Sequence, residues 1–162
     1  MIAYALFADA DWPETWAAIE PVFRAGETYP YPQDISEAEA RRIWVETPRL
    51  AYVVRDETGA LAGTFNIRPN QMALGAHVAN CSYIVAEAAR GRGLAADMCR
   101  ASQRFAREAG FLAMQFNLVV ATNEAAVKAW TKSGMRIVAT IPNAFRHARL
   151  GLVDAHIMHK EL

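Results

Sequence analysis

The segment between residues 84 and 95 constrains the fold of this chain more than any other. An apolar run leads there into a loop with two glycines, and a long amphipathic helix is predicted to begin directly after the loop. Glycine lets a ligand approach the backbone because it has no Cβ atom, and the first N–H groups of a helix have no partner within the helix. The segment therefore predicts a strand, an anion-binding loop and a helix in that order, with Arg90 and Arg92 adding positive charge.

Two common phosphate-binding loops do not match this segment. The dinucleotide pattern G-x-G-x-x-G requires a third glycine at position 96, where the chain has Ala96, and it normally follows the first strand of a domain. The Walker pattern requires Gly-Lys-Ser/Thr, which is absent. A short pyrophosphate-binding turn and a plain strand-to-helix turn with solvated arginines remain as the two interpretations.

Hydrophobic periodicity, capping patterns and turn residues predict the order β-α-α-β-β-β-α-β-α-β-β. Asp11 is predicted to cap a first helix that is disturbed at Pro21, and Ser36 to cap a second. The strands are predicted over residues 2–7, 50–55, 61–67, 78–85, 113–120, 136–141 and 152–160, and the later helices over 94–109 and 122–133. The segment 26–32 contains two prolines and is predicted to be irregular. This order favours a mixed sheet with helices on its faces.

Length and composition indicate one globular domain over residues 1–162. The chain is 53% apolar and 21% charged, which excludes a disordered protein, and its two cysteines are too few for a disulfide scaffold. The N-terminus lacks a signal peptide and no apolar run is long enough for a membrane span, which predicts a cytoplasmic protein. In that reducing compartment we expect both thiols to be free. We also expect both to be buried, because cysteine behaves as a small apolar residue. The net charge of 0 argues against a nucleic acid partner.

Two motifs resemble the GNAT N-acetyltransferase superfamily. The segment Arg90-Gly91-Arg92-Gly93-Leu94-Ala95 matches the family signature [RQ]-x-x-G-x-[GA]. The segment that starts at Asn123, passes through Ala126, Trp130 and Lys132 and ends at Gly134-Met135 is similar to the second family motif. The predicted order of elements also resembles that of the family along nearly the whole chain.

The resemblance implies an α/β (α+β) fold: a mixed, mostly antiparallel sheet of about seven strands, with helices on both faces and a splay between strands 4 and 5. It implies acetyl-CoA as the cofactor, with its pyrophosphate on the loop amides and its pantetheine arm in the splay. The acetyl group would pass directly to an amine in a ternary complex. The implied cofactor contacts are Ile84, Val85, Arg90, Gly91, Arg92, Gly93, Leu94, Ala95, Asn123, Ala126, Trp130 and Lys132.

The resemblance also suggests catalytic roles for Val85, Asn123 and Trp130. The Val85 N–H is the candidate donor to the thioester oxyanion. Trp130 stands where the family often has a tyrosine; since an indole does not transfer protons at neutral pH, it either bonds the sulfur or packs in the core. The strand 78–85 has no carboxylate, so the proton acceptor is unassigned; Glu27 is one candidate, a solvated loop acid the alternative.

Several short segments resemble a subgroup, the yeast-type N-acetyltransferases for L-azetidine-2-carboxylate and other proline analogues. They are residues 26–30, 67–70, 80, 116–119, 121–123, 141–143 and 153–155. The resemblance implies a homodimer that acetylates the ring nitrogen of a small imino acid, with Asn80 and Asn117 contacting the substrate beside Tyr83, Glu27 and Tyr29. The two asparagines could bind one carboxylate or bridge unpaired backbone groups of the splayed strands.

Other functions stay open at this point. Residues 1–89 contain 6 arginines, no lysine and 12 acids, a balance of −6 that keeps a polyamine or a peptide open as the acceptor. An amine-bearing antibiotic or a protein N-terminus would also fit an acetyltransferase. The chain lacks the tyrosine and the strand carboxylate that the family often has. A non-enzymatic alternative therefore stays open: a module that binds CoA without catalysing acetyl transfer. The four histidines do not have metal-ligand spacing, and we expect no metal.

Overall fold

The computed structural model describes residues 2–162 and contains one seven-stranded sheet flanked by helices. The strands are β1 (Ala3–Leu6), β2 (Leu50–Arg55), β3 (Leu61–Pro69), β4 (Val78–Val85), β5 (Ala113–Val120), β6 (Arg136–His147) and β7 (Gly151–Glu161). The helices are α1 (Trp12–Ala25), α2 (Glu37–Arg41), α3 (Leu94–Glu108) and α4 (Glu124–Lys132), and a π-helical turn, Arg42–Glu46, continues α2. None of the helices within residues 2–162 has the length and apolar character to cross a bilayer.

The sheet separates in its middle. Its strand order is β1-β2-β3-β4-β5-β7-β6, and every neighbouring pair is antiparallel except β4 and β5. These two parallel strands pair only where Val78 lies opposite Ala113 and Ala79 lies opposite Met114. The prediction of a mixed, mostly antiparallel sheet with a splay between strands 4 and 5 is confirmed, and the open wedge between β4 and β5 is called the gap below.

The helices cover both faces of the sheet and enclose two apolar clusters. Residues of α3 and α4 pack on one face around Phe65, Met98 and Met114. The second cluster lies under α1 and the π-helical turn and includes Phe23 and Trp44. Burial of such side chains is the main stabilising term of a domain of this size. Because side chains alternate along a strand, β4 contributes to both clusters and separates the α3 face from the α1 face.

The start of α1 differs from the prediction. Asp11 does not cap the helix; its carboxylate accepts hydrogen bonds from the guanidinium of Arg55 at 2.7 Å and from the Ala8 N–H at 2.8 Å. The Asp11 carboxylate thus bonds an arginine of β2 instead of the N–H groups at the start of α1, which the local sequence pattern predicts as its partners. Pro21 does not end α1, which continues to residue 25. Ser36 caps α2 as predicted, since its hydroxyl accepts from the Glu39 N–H at 3.2 Å.

The prediction that the sixth strand ends at Ile141 was wrong. β6 continues to His147 through a register shift between Ile141 and Phe145, where Asn143 has a φ of 53°. The Asn143 N–H donates to the Asp154 carboxylate at 3.0 Å. A bulge absorbs the Pro-Asn pair that indicated a strand end, so pairing with β7 resumes beyond it. The other predicted strand and helix ends lie within about two residues of those observed, the usual uncertainty of such boundaries.

Candidate active site

The loop after β4 presents its backbone N–H groups outwards. Gly91 and Gly93 have φ values of 77° and 79°, the left-handed conformation that favours glycine. The Arg90 N–H donates to Glu87 and the Ala96 N–H to Gly93. Between these two bonds, the backbone N–H groups of residues 91–95 donate to no other residue in the described part of the chain. These successive free donors lie at the start of α3, where the helix dipole adds positive potential.

The surroundings of this loop suit a diphosphate. A Cβ atom added to Gly91 or Gly93 would have no neighbour within 4 Å, so a ligand can reach the backbone there. The side chains of Arg90 and Arg92 are exposed, whereas Leu94 is buried and anchors the first turn of α3. We call residues 90–95 the anion loop. Its free amides and two cations suit an anion such as a diphosphate, and the binding of a coenzyme A pyrophosphate there stays a prediction.

The residues of β4 direct their backbone groups alternately towards β3 and towards the gap. The Ala86 N–H donates to a β3 carbonyl at 2.9 Å, and the Val78 carbonyl accepts from the residue after β3 at 2.7 Å. In an antiparallel pair these bonds recur at every second residue, so Ile84 also directs its N–H and C=O at β3. Tyr83 and Val85 direct theirs at the gap. Of the predicted pair, Val85 is thus the residue whose backbone is accessible from the gap.

A tyrosine from the irregular segment 26–32 enters the gap. The Tyr29 hydroxyl donates to the Tyr83 carbonyl at 2.7 Å and accepts from the Tyr83 N–H at 3.0 Å. It therefore replaces the partner that β5 would supply in a continuous sheet. Burial raises the pKa of the Tyr29 phenol, so it remains a neutral hydroxyl at physiological pH. Next along β4, the Val85 N–H donates to no residue within 2–162.

Three asparagines meet where β4 and β5 separate. Asn80 and Asn117 both donate from their amide nitrogens to the side-chain oxygen of Asn70, at 3.1 and 2.7 Å. Gln115 fixes the orientation of Asn117 by donating to its side-chain oxygen at 2.9 Å. We call Asn70, Asn80 and Asn117 the amide cluster. The structure brings the predicted pair together, and it adds Asn70, which sequence reasoning singled out only as part of a resembling segment.

Residues of α4 form the far wall of the gap. Trp130 is 8% exposed, and its ring lies 4.7 Å from the Tyr83 ring and 5.6 Å from the Phe116 ring, measured between centroids. Its indole N–H donates to no acceptor within the described chain. Asn123 caps α4, since its side-chain oxygen accepts from the Ala126 N–H at 3.2 Å. Both residues therefore have structural roles that explain their positions, and their predicted contacts with a cofactor stay predictions.

A shallow groove runs along the outer side of α4. Its volume is about 490 Å³, and it is lined by Ala121, Glu124, Val127, Lys128, Thr131 and Lys132. The predicted cofactor contact Lys132 lies on this surface. The groove offers two lysines to an anionic ligand, with apolar side chains between them.

Glu27 lies in an ion pair. Its carboxylate is 2.6 Å from the Arg149 guanidinium, and the Ala148 N–H donates to the Gly26 carbonyl at 3.0 Å. These two contacts attach the irregular segment to the turn between β6 and β7. They hold Tyr29 above the gap, and they give Glu27 a cationic partner.

Two thiols lie behind the gap on the α3 face. Cys81 and Cys99 are buried and unpaired, as predicted. Burial raises the pKa of the Cys81 thiol to about 12 and raises that of Cys99 as well. Both remain protonated at neutral pH and so are poor nucleophiles. Among residues 2–162, no group of three His, Cys, Asp or Glu side chains is arranged to hold a metal ion.

Residues 6–135 match the Acetyltransferase (GNAT) family. The chain is 28% identical over 148 residues to the N-acetyltransferase aca1 of Schizosaccharomyces pombe, covering 82% of this chain and 71% of the yeast protein. It is 40% identical to a GCN5-related N-acetyltransferase from Kribbella flavida, whose structure superposes with a TM-score of 0.93 over 99% of this chain and 98% of the other.

A more distant likeness concerns the fold alone. The GNAT superfamily phosphinothricin acetyltransferase from Sinorhizobium meliloti, solved in complex with AcCoA, is 16% identical to this chain. Its structure superposes with a TM-score of 0.86 over 99% of this chain and 88% of that one. The arrangement of helices and strands is thus shared with proteins of very different sequence.

Proposed function

This chain belongs to the GNAT acetyltransferase family and is an acetyl-CoA-dependent acetyltransferase, and from that premise we propose that its acceptor is the nitrogen of a small amino or imino acid. The observation that carries this proposal is the amide cluster. Asn80 and Asn117 meet at the point where β4 and β5 separate, beside the gap-facing backbone of β4. Side-chain amides placed there can hold a small carboxylate and leave the acceptor nitrogen facing the gap.

The anion loop is the part of the chain that binds the cofactor in this proposal. The N–H groups of residues 91–95 hold the diphosphate, and Arg90 and Arg92 add exposed charge. Leu94 and Ala95 contribute through their backbone. The remaining predicted contacts on α4, Asn123, Ala126, Trp130 and Lys132, border the gap or the outer groove.

The chemistry demands little of the protein. Bound acetyl-CoA supplies an activated thioester. The Val85 N–H faces the gap and has no partner in the described part of the chain, so it is the group proposed to bind the oxyanion. The indole of Trp130 offers a further N–H on the opposite wall. The half-buried Tyr29 places its hydroxyl in the gap, where it bonds both backbone groups of Tyr83.

The segments that resemble the proline-analogue N-acetyltransferases support the same class of acceptor. Asn80, Asn117 and Tyr29 belong to those segments and lie around one space in the structure. Tyr83 supplies backbone groups to that space, while its ring is buried on the α3 face with its hydroxyl against Ser102, and the Glu27 carboxylate is bonded to Arg149. The proposed acceptor contacts are therefore Asn80 and Asn117, with Tyr29 shaping the site.

The test is thiol release from acetyl-CoA in the presence of a panel of amines. We expect the fastest release with a cyclic imino acid such as azetidine-2-carboxylate, and slow release with polyamines, aminoglycosides and peptide N-termini. Asn117→Ala should reduce turnover of the imino acid without changing CoA affinity. Fast release with another panel member and none with imino acids would overturn the proposal. CoA binding without any release would instead indicate a binding module.

A further inference from the structure

Arg68 differs from the other arginines of the first half of the chain. Arg24, Arg41, Arg42 and Arg55 each lie within 4.0 Å of a carboxylate, and Arg49 stacks over the Phe111 ring. Arg68 has no carboxylate within that distance and no hydrogen-bond acceptor among residues 2–162, although its side chain is half-buried. A partly buried guanidinium without a counter-ion is unfavourable unless a ligand supplies the charge.

Arg68 lies beside the amide cluster. On β3 it is directly opposite Asn80 of β4, so both side chains are on the α1 face of the sheet. Asn70 follows two residues later and bonds Asn80. The charge of Arg68 also reaches Tyr29: burial raises the pKa of that phenol, and Arg68 acts in the opposite direction. Arg68 is therefore near both the amide cluster and the hydroxyl that enters the gap.

The amide cluster retains more donors than acceptors. Three amide groups have six N–H bonds, and two of these point at the Asn70 oxygen, which leaves four. The Asn117 oxygen is already occupied by Gln115. Neither N–H of Asn70 donates to another described residue. Free donors beside an unpaired guanidinium are the chemistry that binds a carboxylate.

A surface depression of about 440 Å³ adjoins this position. Its lining includes Arg68, Asn70, Thr47 and the loop residues 71–73. A space of that size accommodates a small ring with one carboxylate. It opens on the α1 face, the side of β4 opposite the thiols.

We propose that Arg68 and Asn70 form, with Asn80 and Asn117, the subsite that binds the carboxylate of the acceptor and makes the enzyme select acids over neutral amines. This inference rests on the proposed function, because it assigns a part of the acceptor to named groups. Arg68 supplies the charge. Asn70 orients the amides of Asn80 and Asn117 with its oxygen and offers its own two N–H bonds.

The test compares azetidine-2-carboxylate with its carboxamide, two acceptors that share the ring nitrogen. Arg68→Gln should lower kcat/KM for the acid about 30-fold, through KM, and change that for the amide less than about 3-fold, because a site built for a charged group loses most when its counter-charge is removed. Arg68→Lys keeps the positive charge, so its kcat/KM for the acid should lie between those of Arg68→Gln and the wild type. The control Arg107→Gln removes an exposed arginine at the far end of α3 and should change neither value.

Asn70→Asp gives a second variant with an opposite structural logic. The aspartate keeps an oxygen that accepts from Asn80 and Asn117, so the cluster can still form, but its charge repels a carboxylate. We expect the acid to lose at least about tenfold in kcat/KM while the amide is spared or improved. If Asn70 acted only in folding, Asn70→Asp would lower kcat/KM equally for the acid and for the amide.

The outcomes separate the two proposals. Turnover of the acid by the wild type, with an acid-to-amide ratio that Arg68→Gln and Asn70→Asp leave unchanged, overturns the subsite but not the acceptor class. Wild-type protein that acetylates neither compound overturns the acceptor class. In that case calorimetry of azetidine-2-carboxylate with the CoA complex decides the subsite: heat that Arg68→Gln abolishes supports it, and no heat overturns it.

Discussion

The anion loop and the amide cluster present their hydrogen-bond donors in different ways, although they lie at the two ends of the same strand. The anion loop offers backbone N–H groups of consecutive residues 91–95, and none of these donors bonds an acceptor among residues 2–162. The amide cluster uses side chains from β4, β5 and the segment after β3; Asn70 and Asn117 are 47 residues apart and bonded to each other. One site is encoded locally, whereas the other exists only in the folded chain.

This difference has an energetic consequence. A backbone donor cannot be removed by shortening a side chain, so the anion loop should respond strongly to obstruction and weakly to truncation. A side-chain donor disappears when its residue is truncated, and its partners lose their orientation with it. The amide cluster should therefore respond to single truncations, and its members should not act independently.

The largest effect is expected from obstructing the anion loop. Gly93→Trp places a large side chain in the open space that the diphosphate must enter, so we expect at least about 100-fold weaker CoA binding, close to 2.7 kcal/mol. Calorimetric titration with CoA measures it. Gly59→Trp is the matched control, because Gly59 also has a positive φ of 85° and no neighbour within 4 Å of an added Cβ.

Both variants force a bulky residue into the left-handed conformation, so both should lose about 1–2 kcal/mol of stability. Only Gly93→Trp should lose the cofactor. Equal CoA affinity in the two variants would mean that the diphosphate does not lie on the loop amides.

The next effect concerns the buried core between β4 and α3. Burial raises the pKa of the Cys81 thiol from about 9 to about 12, so the unfolded chain releases this proton first as the pH rises. Stability from the neutral thiol is complete below pH 9 and is lost progressively above it; between pH 8.5 and 10.5 this single group should cost about 2 kcal/mol. Urea unfolding at both pH values measures the loss, and Cys81→Ala should lose correspondingly less.

An equal loss in wild type and Cys81→Ala would show that water reaches the β4 side chains on the α3 face. The core behind β4 would then be hydrated. The comparison assumes that the side-chain site is supported by a dry core, and this assumption would be wrong.

A smaller effect is expected from the amide cluster. Asn80→Ala and Asn117→Ala each remove one donor to Asn70, so each should raise KM for an imino acid about tenfold, near 1.4 kcal/mol. The double variant should lose less than the product of the two, since both donors share one acceptor. Steady-state kinetics measures the cycle, and CoA affinity serves as the internal control. Strictly multiplicative losses would mean that the asparagines act separately.

The contrast between the two sites also explains what the sequence could predict. The order of strands and helices and the glycine loop before α3 follow from local patterns: alternation, capping residues and glycine spacing within a few positions of one another. The splay between β4 and β5 was predicted only through the family resemblance. The prediction failed where a distant side chain overrode the local pattern. Arg55 removed Asp11 from its predicted cap, and Asp154 accommodated the bulge at Asn143 that extends β6.

The acceptor side follows the same rule. Asn80 and Asn117 were predicted because each lies in a segment that resembles the proline-analogue acetyltransferases. In the structure both of their amides donate to the side-chain oxygen of Asn70. Asn70 and Arg68 belong to such a segment too, but nothing in the sequence says which residues they touch. Arg68 stands out only when the partners of the other arginines of the first half are known, a carboxylate for four of them and the Phe111 ring for Arg49, which requires the tertiary fold.

The smallest effect is expected from the arginines of the anion loop. Arg90 and Arg92 are exposed, so water and salt screen their charges, and Arg90→Ala or Arg92→Ala should weaken CoA binding only about 3-fold at low salt. The difference from wild type should shrink further at 0.5 M salt. Arg107→Ala, at the other end of α3, should have no effect. If either arginine variant lost CoA affinity nearly as strongly as Gly93→Trp, the loop would bind mainly through side chains. The contrast between the anion loop and the amide cluster would then be wrong.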